Sequence, residues 1–280
     1  MDRVWRCGRF ELPLDATLIM GVLNVTPDSF SDGGEFEDPI SAVEHGRQMV
    51  ADGAAIIDVG GESTRPGSDE VSPAEEIVRV RPVVSTLARD FGVPVSVDTR
   101  HASVARAAVE AGASIVNDVS GFRDAEMINV ALDCDAGLVI MHMLGEPKTM
   151  QAEPRYGDVV DDVGRYLLGR ARTLEELGVA RERICIDPGI GFGKTLEQSL
   201  ELLRRLPELA KYGYPVLVGA SRKSLIGMVL GEPDPKQRLE GSLAIAAWSA
   251  AHGADIVRVH DVNETVRVLH MWRAIEGESA

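Results

Sequence analysis

Cysteine is scarce in this chain of 280 residues, which contains Cys7, Cys134 and Cys185 and no others. Three cysteines that lie far apart without C-x-x-C spacing argue against a disulfide framework and against a zinc site. The sequence also has no H-x-x-E-H type of cluster, so it predicts no permanent transition-metal site. Because the thiols are typical of a reduced protein, we expect a cytoplasmic location.

Long apolar runs are missing too, since none approaches the ~18 residues of a membrane span. The N-terminal segment is too charged for a signal peptide. Basic residues are outnumbered, with 29 Lys and Arg against 44 Asp and Glu, and the net charge is −15. We therefore expect neither a membrane nor nucleic acid as a partner.

The hydrophobic content of 45% is ample for a core, and no low-complexity linker divides the chain. Short apolar strands alternate with helical stretches, which predicts a single domain over residues 1–280. Eight βα units in this length favour an α/β fold of the (β/α)8 TIM-barrel type over a doubly wound sheet. We expect a short β-hairpin-like lead over Val4–Leu12 before the first unit.

The predicted strands are apolar and non-alternating, as in a parallel sheet that is covered on its outer face. They are Leu18–Leu23, Ala55–Val59, Val93–Val97, Ile115–Asn117, Gly137–Met141, Ile184–Ile186, Val216–Val218 and Ile256–Val259. The predicted helices are Pro39–Asp52, Pro73–Asp90, Ser103–Ala111, Ala125–Leu132, Tyr156–Leu177, Leu196–Tyr212, Leu239–Ala251 and about Asn263–Ile275.

Nearly every predicted strand ends in a polar or charged side chain. In a TIM barrel these ends meet at one face, where active sites lie, so the pattern predicts a site there. The residues concerned are Asn24, Glu62, Asp98, Asn117, Asp118, His142, Asp187, Ser221, Arg222, Lys223, Arg258 and His260.

One strand end leads into a glycine-rich loop, Ile184–Thr195, with the sequence ICIDPGIGFGKT. Pro188 must end the strand and leaves Asp187 at its tip. Gly193-Lys194-Thr195 matches the end of a P-loop, but Pro188 replaces the opening glycine, so the phosphate cradle is incomplete. The alternative is a tight turn without a ligand.

Asp98, Asn117, Asp187 and Lys223 offer two carboxylates, an amide and an ammonium around one opening. This set suits a flat nitrogen heterocycle, because carboxylates accept paired N–H donors and an amide both donates and accepts. A ligand without such donors would leave buried groups unpaired, at about 1–3 kcal/mol each. The alternative is that Asp98 and Asp118 cap the helices that follow them.

A basic set follows the last two strands and consists of Arg222, Lys223, Arg258 and His260. This quarter of a TIM barrel commonly binds phosphate, so the set predicts an anion site. His260 alone is equally consistent with an ordinary histidine of the rim. A Mg²⁺ ion that phosphates carry needs only one or two protein oxygens, and Asn24 can supply one.

Two long loops, Asn24–Gly34 and Gly60–Pro73, follow the first two strands. Their turn signals and glycine pairs predict mobile lids that close on substrate, with ordinary surface connections as the alternative.

Seven segments of the chain resemble, in order, the signature segments of the dihydropteroate synthase family. The resemblance runs from about Met20 to Asp261, and no motif departs from the family pattern. The segments are MGVLNVTPDSFSDGG, IDVGGESTRPG, SVDT, NDVSG, DPGIGFGK, GASRKS and RVHD.

The resemblance implies an enzyme that joins 6-hydroxymethyl-7,8-dihydropterin diphosphate to 4-aminobenzoate. The products would be 7,8-dihydropteroate and pyrophosphate, in folate synthesis, and the class is a target of sulfonamides. A homodimer is implied as well. The apolar face of the last helix could serve it, although ordinary barrel packing is our default for these residues: Val266, Leu269, Met271 and Trp272.

Residue roles are implied where the motifs match. The pterin pocket would consist of Asp98, Asn117, Asp187 and Lys223. The pyrophosphate clamp would consist of Arg258 and His260, with Asn24 contacting Mg²⁺. The aminobenzoate and diphosphate would meet Thr64, Arg65 and Pro66, and further aminobenzoate contacts would be Phe192 and Ser224. The catalytic residues would be Asp98, Lys223, Arg258 and His260.

The sequence shows no nucleophile–base pair, and an aryl amine attacks with its own lone pair. We therefore predict a dissociative, SN1-like displacement in which Asp98 stabilises a cationic pterin. One alternative is a pterin-binding methyltransferase, which has no need of Thr64-Arg65-Pro66. Another is a non-catalytic pterin-binding relative, against which Asn24, Arg65 and Arg258 argue.

Overall fold

Eight parallel strands form the centre of the computed structural model, which describes residues 3–25, 39–62, 71–145 and 154–277. The strands are β3 (Leu18–Asn24), β4 (Ile56–Gly60), β5 (Val95–Asp98), β6 (Ile115–Asp118), β7 (Gly137–Met141), β8 (Ile184–Asp187), β9 (Leu217–Val218) and β10 (Ile256–Val259). They are hydrogen-bonded in the order β8-β7-β6-β5-β4-β3-β10-β9. A parallel bridge between Ile186 and Val216 closes the ring, so the predicted TIM barrel is confirmed.

Helices surround this barrel, and most begin and end within a few residues of their predicted bounds. They are α1 (Pro39–Ala51), α2 (Pro73–Asp90), α3 (Ala102–Glu110), α4 (Ala125–Asp133), α5 (Val159–Glu176), α6 (Leu196–Arg204), α7 (Leu206–Ala210), α8 (Ser224–Leu230), α9 (Leu239–Ala251) and α10 (Val262–Glu276). Short 3-10 turns cover Arg181–Arg183 and Pro235–Gln237.

The predicted helix Leu196–Tyr212 is wrong as one element, because it breaks between α6 and α7. Pro207 lies in the first turn of α7 and has no N–H to donate to the carbonyl four residues earlier. That carbonyl belongs to Leu203, and it accepts instead from the Trp248 indole N–H on α9 at 3.0 Å. The break therefore leaves no unpaired carbonyl at Leu203.

Helix α8 is absent from the sequence prediction. It spans only the seven residues SLIGMVL, too few for a clear helical period, and it contains Gly227. Gly231 ends it in the left-handed conformation, with φ of 72°.

The N-terminal lead is an antiparallel hairpin of β1 (Val4–Cys7) and β2 (Phe10–Pro13), as predicted. Trp5 and Cys7 are completely buried and pack with barrel residues such as Met20 and Ile115. The Trp5 indole N–H donates to the Arg183 carbonyl at 2.9 Å. The hairpin therefore covers the end of the barrel opposite the carboxyl ends of the strands.

The apolar face of α10 is used mainly for packing within the chain. Leu269 is buried, and Val266 and Trp272 pack against the same core, whereas Met271 is 62% exposed. Over the ranges that the structure describes, no helix is both long enough and apolar enough to cross a membrane.

Candidate functional site

The strand register places the predicted site residues side by side at the carboxyl ends. Asn24 pairs with Gly60, Gly60 with Asp98, and Asp98 with Asn117. Further round the ring, Met141 pairs with Asp187. In-register parallel strands thus bring these side chains to one edge of the barrel.

Arg258 lies at the centre of the acidic residues instead of in a separate basic set. Its Nε donates to Asp58 Oδ2 at 2.6 Å, and its Nη2 donates to Asp98 Oδ2 at 2.7 Å. Burial opposes the positive charge of Arg258, yet the Asp58 and Asp98 carboxylates hold its pKa above the usual value. The predicted grouping of Arg258 away from the carboxylates is therefore wrong.

Asp58 is a site residue that the sequence prediction missed. It is completely buried in β4, and its Oδ2 also accepts from the Asn117 side-chain amide at 3.1 Å. Oδ1 of Asp58 and Oδ1 of Asp98 are both buried and have no hydrogen-bond partner among the described residues. Two acceptors are thus available next to a cation. The available signal was a carboxylate within the apolar strand IIDVG, a position where a charge needs a partner.

Burial raises the pKa of the Asp98 carboxyl above its usual range, and the Arg258 cation partly offsets this shift. Asp98 caps no helix, because the N-cap of α3 is His101. Asp118 does not cap α4 either, since Asp124 does so. Asp118 instead accepts from the backbone N–H groups of Ser120 and Phe122, both at 2.7 Å, and so stabilises the turn after β6.

Asp187 and Lys223 form a second part of the site. Asp187 Oδ1 accepts from the Gly189 N–H at 2.7 Å, and burial raises the pKa of this carboxyl against the effect of the nearby Lys223 cation. Burial likewise lowers the pKa of Lys223 to about 8, and Asp187 acts in the opposite direction. Lys223 donates to the Ile190 carbonyl at 2.7 Å and lies 4.3 Å from the centre of the Phe192 ring.

Arg222, a member of the predicted basic set, already has a carboxylate partner in this structure. Its guanidinium pairs with Asp261, with Nε 3.1 Å from Oδ2, and its backbone is left-handed with φ of 59°. The Ser242 hydroxyl accepts from its N–H at 3.0 Å, and Arg238 donates to its carbonyl at 3.0 Å. These contacts stabilise a conformation that is unusual for a residue other than glycine.

His260 and Ser224 lie at the same rim. His260 is half-buried, and its Nδ1 lies 3.1 Å from the Ser221 hydroxyl. Ser224 is exposed at the first position of α8. The predicted residues Thr64, Arg65 and Pro66, and the greater part of both predicted lid loops, lie outside the described residues.

Two groups of side chains carry oxygen or nitrogen donors that could hold a metal ion. Asn24 is half-buried, and a methyl group added at Gly60 would lie 3.7 Å from both Asn24 Oδ1 and Asp98 Cβ. A neutral amide oxygen beside the anion site suits a hard cation that a phosphate brings with it. Within the described ranges, Glu62, Glu76 and His101 also place donor atoms within 4.8 Å of one another.

The Glu62 group is better explained as a polar network than as a metal site. Arg100 donates to both oxygens of Glu62, at 3.1 and 3.2 Å, and so already supplies a positive charge. Glu76 is buried and pairs with His101 Nδ1 at 2.7 Å. The network holds Glu62 in place directly before residue 63.

Comparison with known proteins identifies relatives over almost the whole chain. The family model described as "Pterin binding enzyme" matches residues 20–260. The dihydropteroate synthase of Neisseria meningitidis serogroup C is 49% identical over 276 residues, which covers 97% of each chain.

Solved structures also match the fold over almost the whole chain. The dihydropteroate synthase of Xanthomonas albilineans with 4-aminobenzoic acid has a TM-score of 0.94 and 42% identity, and all of both chains is covered. The dihydropteroate synthase of Burkholderia cenocepacia complexed with 7,8-dihydropteroate has a TM-score of 0.90 and 46% identity. That match covers 99% of this chain and 97% of the other.

Proposed function

Since this chain belongs to the pterin-binding enzyme family and carries out the dihydropteroate synthase reaction, we propose that its strand ends divide that reaction between a pterin pocket and a diphosphate site. The enzyme joins 6-hydroxymethyl-7,8-dihydropterin diphosphate to 4-aminobenzoate and yields 7,8-dihydropteroate and pyrophosphate. The reaction belongs to folate synthesis, and the enzyme is of the class that sulfonamides target.

The observation that carries this assignment is the unpartnered buried carboxylate oxygen of Asp98 beside Arg258. Oδ1 of Asp98 is an acceptor that costs free energy when it stays unpaired. A pterin ring has amino and ring N–H groups on one edge and satisfies such acceptors. In our proposal Asp98, Asn117 and Asp187 bind that edge, and Lys223 donates to the ring's acceptor atoms.

The diphosphate is assigned to Arg258 and His260. Arg258 already spans from β10 to the acidic residues of β4 and β5, so it can contact both the pterin and its leaving group. His260 follows β10 directly and lies next to Ser221. Thr64, Arg65 and Pro66 keep the roles near aminobenzoate and diphosphate that the family resemblance implies.

We assign Mg²⁺ to Asn24, whose amide oxygen fits a cation at this end of the pocket. When bound with the diphosphate, Mg²⁺ supplies positive charge that stabilises the leaving anion. This chain then contributes one neutral oxygen through Asn24 and further positive charge through Arg258.

Aminobenzoate is assigned to the side of Lys223 that faces Phe192 and Ser224. The Phe192 ring covers the Lys223 ammonium at 4.3 Å and is itself half-buried, so an aromatic ligand can pack on it. The exposed Ser224 hydroxyl can donate to a carboxylate.

The chemistry that fits these residues is dissociative. Breaking the bond from the methylene to the diphosphate leaves a cation on the pterin side, which the Asp98 carboxylate stabilises, and an anion that Arg258 and His260 stabilise. The amine of aminobenzoate then attacks the methylene and loses its proton afterwards. Asp98 therefore needs to act as a fixed negative charge and not as a proton acceptor.

Two further properties are part of the proposal. A cytoplasmic location is supported by Cys7, Cys134 and Cys185, all of which are free thiols. A homodimer is supported by apolar side chains that remain exposed on α10, namely Met271 and Ile275. Light scattering of the purified protein tests the second point.

Pyrophosphate release tests the function directly. On mixing both substrates with the wild-type protein, we expect stoichiometric pyrophosphate and 7,8-dihydropteroate. Lys223→Ala should lose most of this activity, whereas Lys211→Ala, which changes an exposed lysine at the end of α7, should keep it. Pterin binding by the wild-type protein without pyrophosphate release would contradict the assignment and favour a non-catalytic binding protein.

A further inference from the structure

Lys194 resembles the lysine at the end of a P-loop in sequence, but its side chain points into the protein. It lies in the loop between β8 and α6 and is only 3% exposed. Its ammonium lies 2.9 Å from the carbonyl oxygens of Gly189 and Phe192, 3.0 Å from Nδ1 of His142 and 3.3 Å from the His142 carbonyl. These acceptors occupy all three of its N–H groups, so Lys194 has no donor left for a phosphate.

Two of the carbonyls that accept from Lys194 flank Ile190 in the sequence, and the Ile190 carbonyl accepts from Lys223. The carbonyls of Gly189 and Phe192 point at Lys194, whereas the carbonyl of Ile190, between them, accepts from Lys223 at 2.7 Å. The Phe192 ring lies over the same Lys223 ammonium. Lys194 thus orients the backbone segment that contacts Lys223 from one side of the pocket.

This loop needs an anchor because its backbone is unusual. Gly189, Gly191 and Gly193 have φ of 64°, 82° and 61°, a left-handed conformation that regular helices and strands do not use. The Tyr156 hydroxyl donates to the Gly193 carbonyl at 2.7 Å, but the Gly189 and Phe192 carbonyls converge on Lys194. The Gly189 carbonyl also accepts from the Phe192 N–H at 3.0 Å, so the loss of Lys194 would affect the direction of the Phe192 carbonyl most.

His142 is suited to face an ammonium. Burial lowers its pKa to about 3, and the Lys194 charge acts in the same direction, so its imidazole is neutral and accepts at Nδ1. His142 also packs edge-on against the Tyr166 ring, with the ring centroids 5.0 Å apart. The anchor therefore joins the end of β7 to the loop after β8.

We propose that Lys194 is a positioning residue for both substrates, which holds the Gly189–Gly193 loop so that Phe192 and Lys223 are in place before either ligand binds. This proposal rests on the roles assigned above to Phe192 for aminobenzoate and to Lys223 for the pterin. Lys194 touches neither ligand and acts only through the loop. Its removal should weaken binding of both substrates in a protein that still folds.

Steady-state kinetics with both substrates, for Lys194→Met and for the surface control Lys211→Met, tests the proposal. We expect the KM values for 4-aminobenzoate and for the dihydropterin diphosphate each to rise by roughly tenfold or more in Lys194→Met, since small misplacements of site residues have effects of this size or larger. Lys211→Met should match the wild type. Unchanged KM values in Lys194→Met, with a lower kcat that follows only the loss of folded protein, would overturn the proposal.

Two additions keep the result interpretable. If Lys194→Met does not fold, Lys194→Gln, which keeps two N–H donors without the charge, carries the same test. Its KM values are expected to exceed those of the wild type, and wild-type KM values would overturn the proposal. Calorimetry measures the binding of each ligand to the wild type and the variants without turnover. Together with the activity assay, it separates the proposed function from the proposed role of Lys194. If the wild type releases no pyrophosphate, the proposed function is contradicted. If the wild type and the variant bind the ligands with equal affinity, the role of Lys194 is contradicted.

Discussion

Asp58 lies two residue pairs deeper in the barrel than Asp98, and its Oδ2 accepts a hydrogen bond of 2.6 Å from Arg258 Nε. The same oxygen accepts from the Asn117 amide, so one buried carboxylate orients Asn117 of the proposed pterin pocket and Arg258 of the proposed diphosphate site. The cation that serves the leaving group is thereby fixed by a residue that lies beneath the pocket.

We expect Asp58→Asn to lower kcat/KM by roughly tenfold to a hundredfold, because a hydrogen bond to a charged group contributes about 1.5–3 kcal/mol. The matched control is Asp90→Asn, which removes an exposed carboxylate that pairs with Arg89 far from the strand ends. Wild-type kinetics in Asp58→Asn would show that Arg258 is held well enough by Asp98 alone.

Affinity for a pterin should increase with pH. Burial raises the pKa of Asp98, and the proposed contact uses the ionised form, so raising the pH increases the fraction that can bind until ionisation is complete. Calorimetry with a pterin analogue from about pH 5 to about pH 8 measures this slope. Asp98→Asn should bind more weakly and lose the slope.

In the ligand-free protein, the contribution of Asp98 to stability should decrease with pH, whereas the pterin affinity increases. A carboxyl whose pKa is raised on folding keeps its proton in the folded chain where the unfolded chain has released it. The contribution of Asp98 to the free energy of unfolding is therefore present below the unfolded pKa and decreases as the pH rises through the folded pKa. A pterin affinity that does not change with pH would contradict the role of the Asp98 carboxylate.

Substitution of Trp5 should affect stability and leave catalysis intact. Trp5→Ala creates a cavity at the closed end of the barrel, and we expect a loss of about 3–5 kcal/mol in the free energy of unfolding. Trp5→Phe keeps most of the packing but leaves the Arg183 carbonyl without its donor, at a cost of about 1–3 kcal/mol. Urea unfolding measures both values, and kcat per folded molecule should not change.

Gly189 should tolerate no side chain. Its φ is 64°, and a Cβ atom there would lie 2.0 Å from the His142 carbonyl oxygen, so Gly189→Ala must displace the loop. We expect both a lower melting temperature and a large loss of activity. Gly92→Ala is the control, because a Cβ at that position would meet no atom within 4 Å.

The barrel and most of its elements follow from the sequence, since apolar strands, helix caps and polar strand ends all have local signals. The partners of Asp58 had no such signal, because they come from β6 and β10, although a carboxylate inside an apolar strand is itself unusual. The contact of Arg222 with Asp261 was equally hidden, since it joins loops 39 residues apart in the chain. The pairing of these arginines with their carboxylates is set by the closed barrel, because it brings together residues that are far apart in the sequence.

The break between α6 and α7 has a local signal in the sequence, namely Pro207. A proline cannot donate to the carbonyl of Leu203, so Pro207 disfavours a continuous helix over Leu196–Tyr212. What the sequence could not supply was the replacement donor, Trp248, which lies 45 residues away.

The ring of strands has one seam, between β8 and β9, where a single bridge from Ile186 to Val216 stands in for a ladder among the described residues. Amide hydrogens along this seam should exchange with solvent sooner than those between β3 and β4, which share five register pairs. Asp187 ends one border of the seam, and Lys223 follows the other. The pair of strands with the fewest hydrogen bonds therefore lies beside two residues of the proposed pterin pocket. Ligand binding should slow amide hydrogen exchange between β8 and β9 more than elsewhere in the barrel.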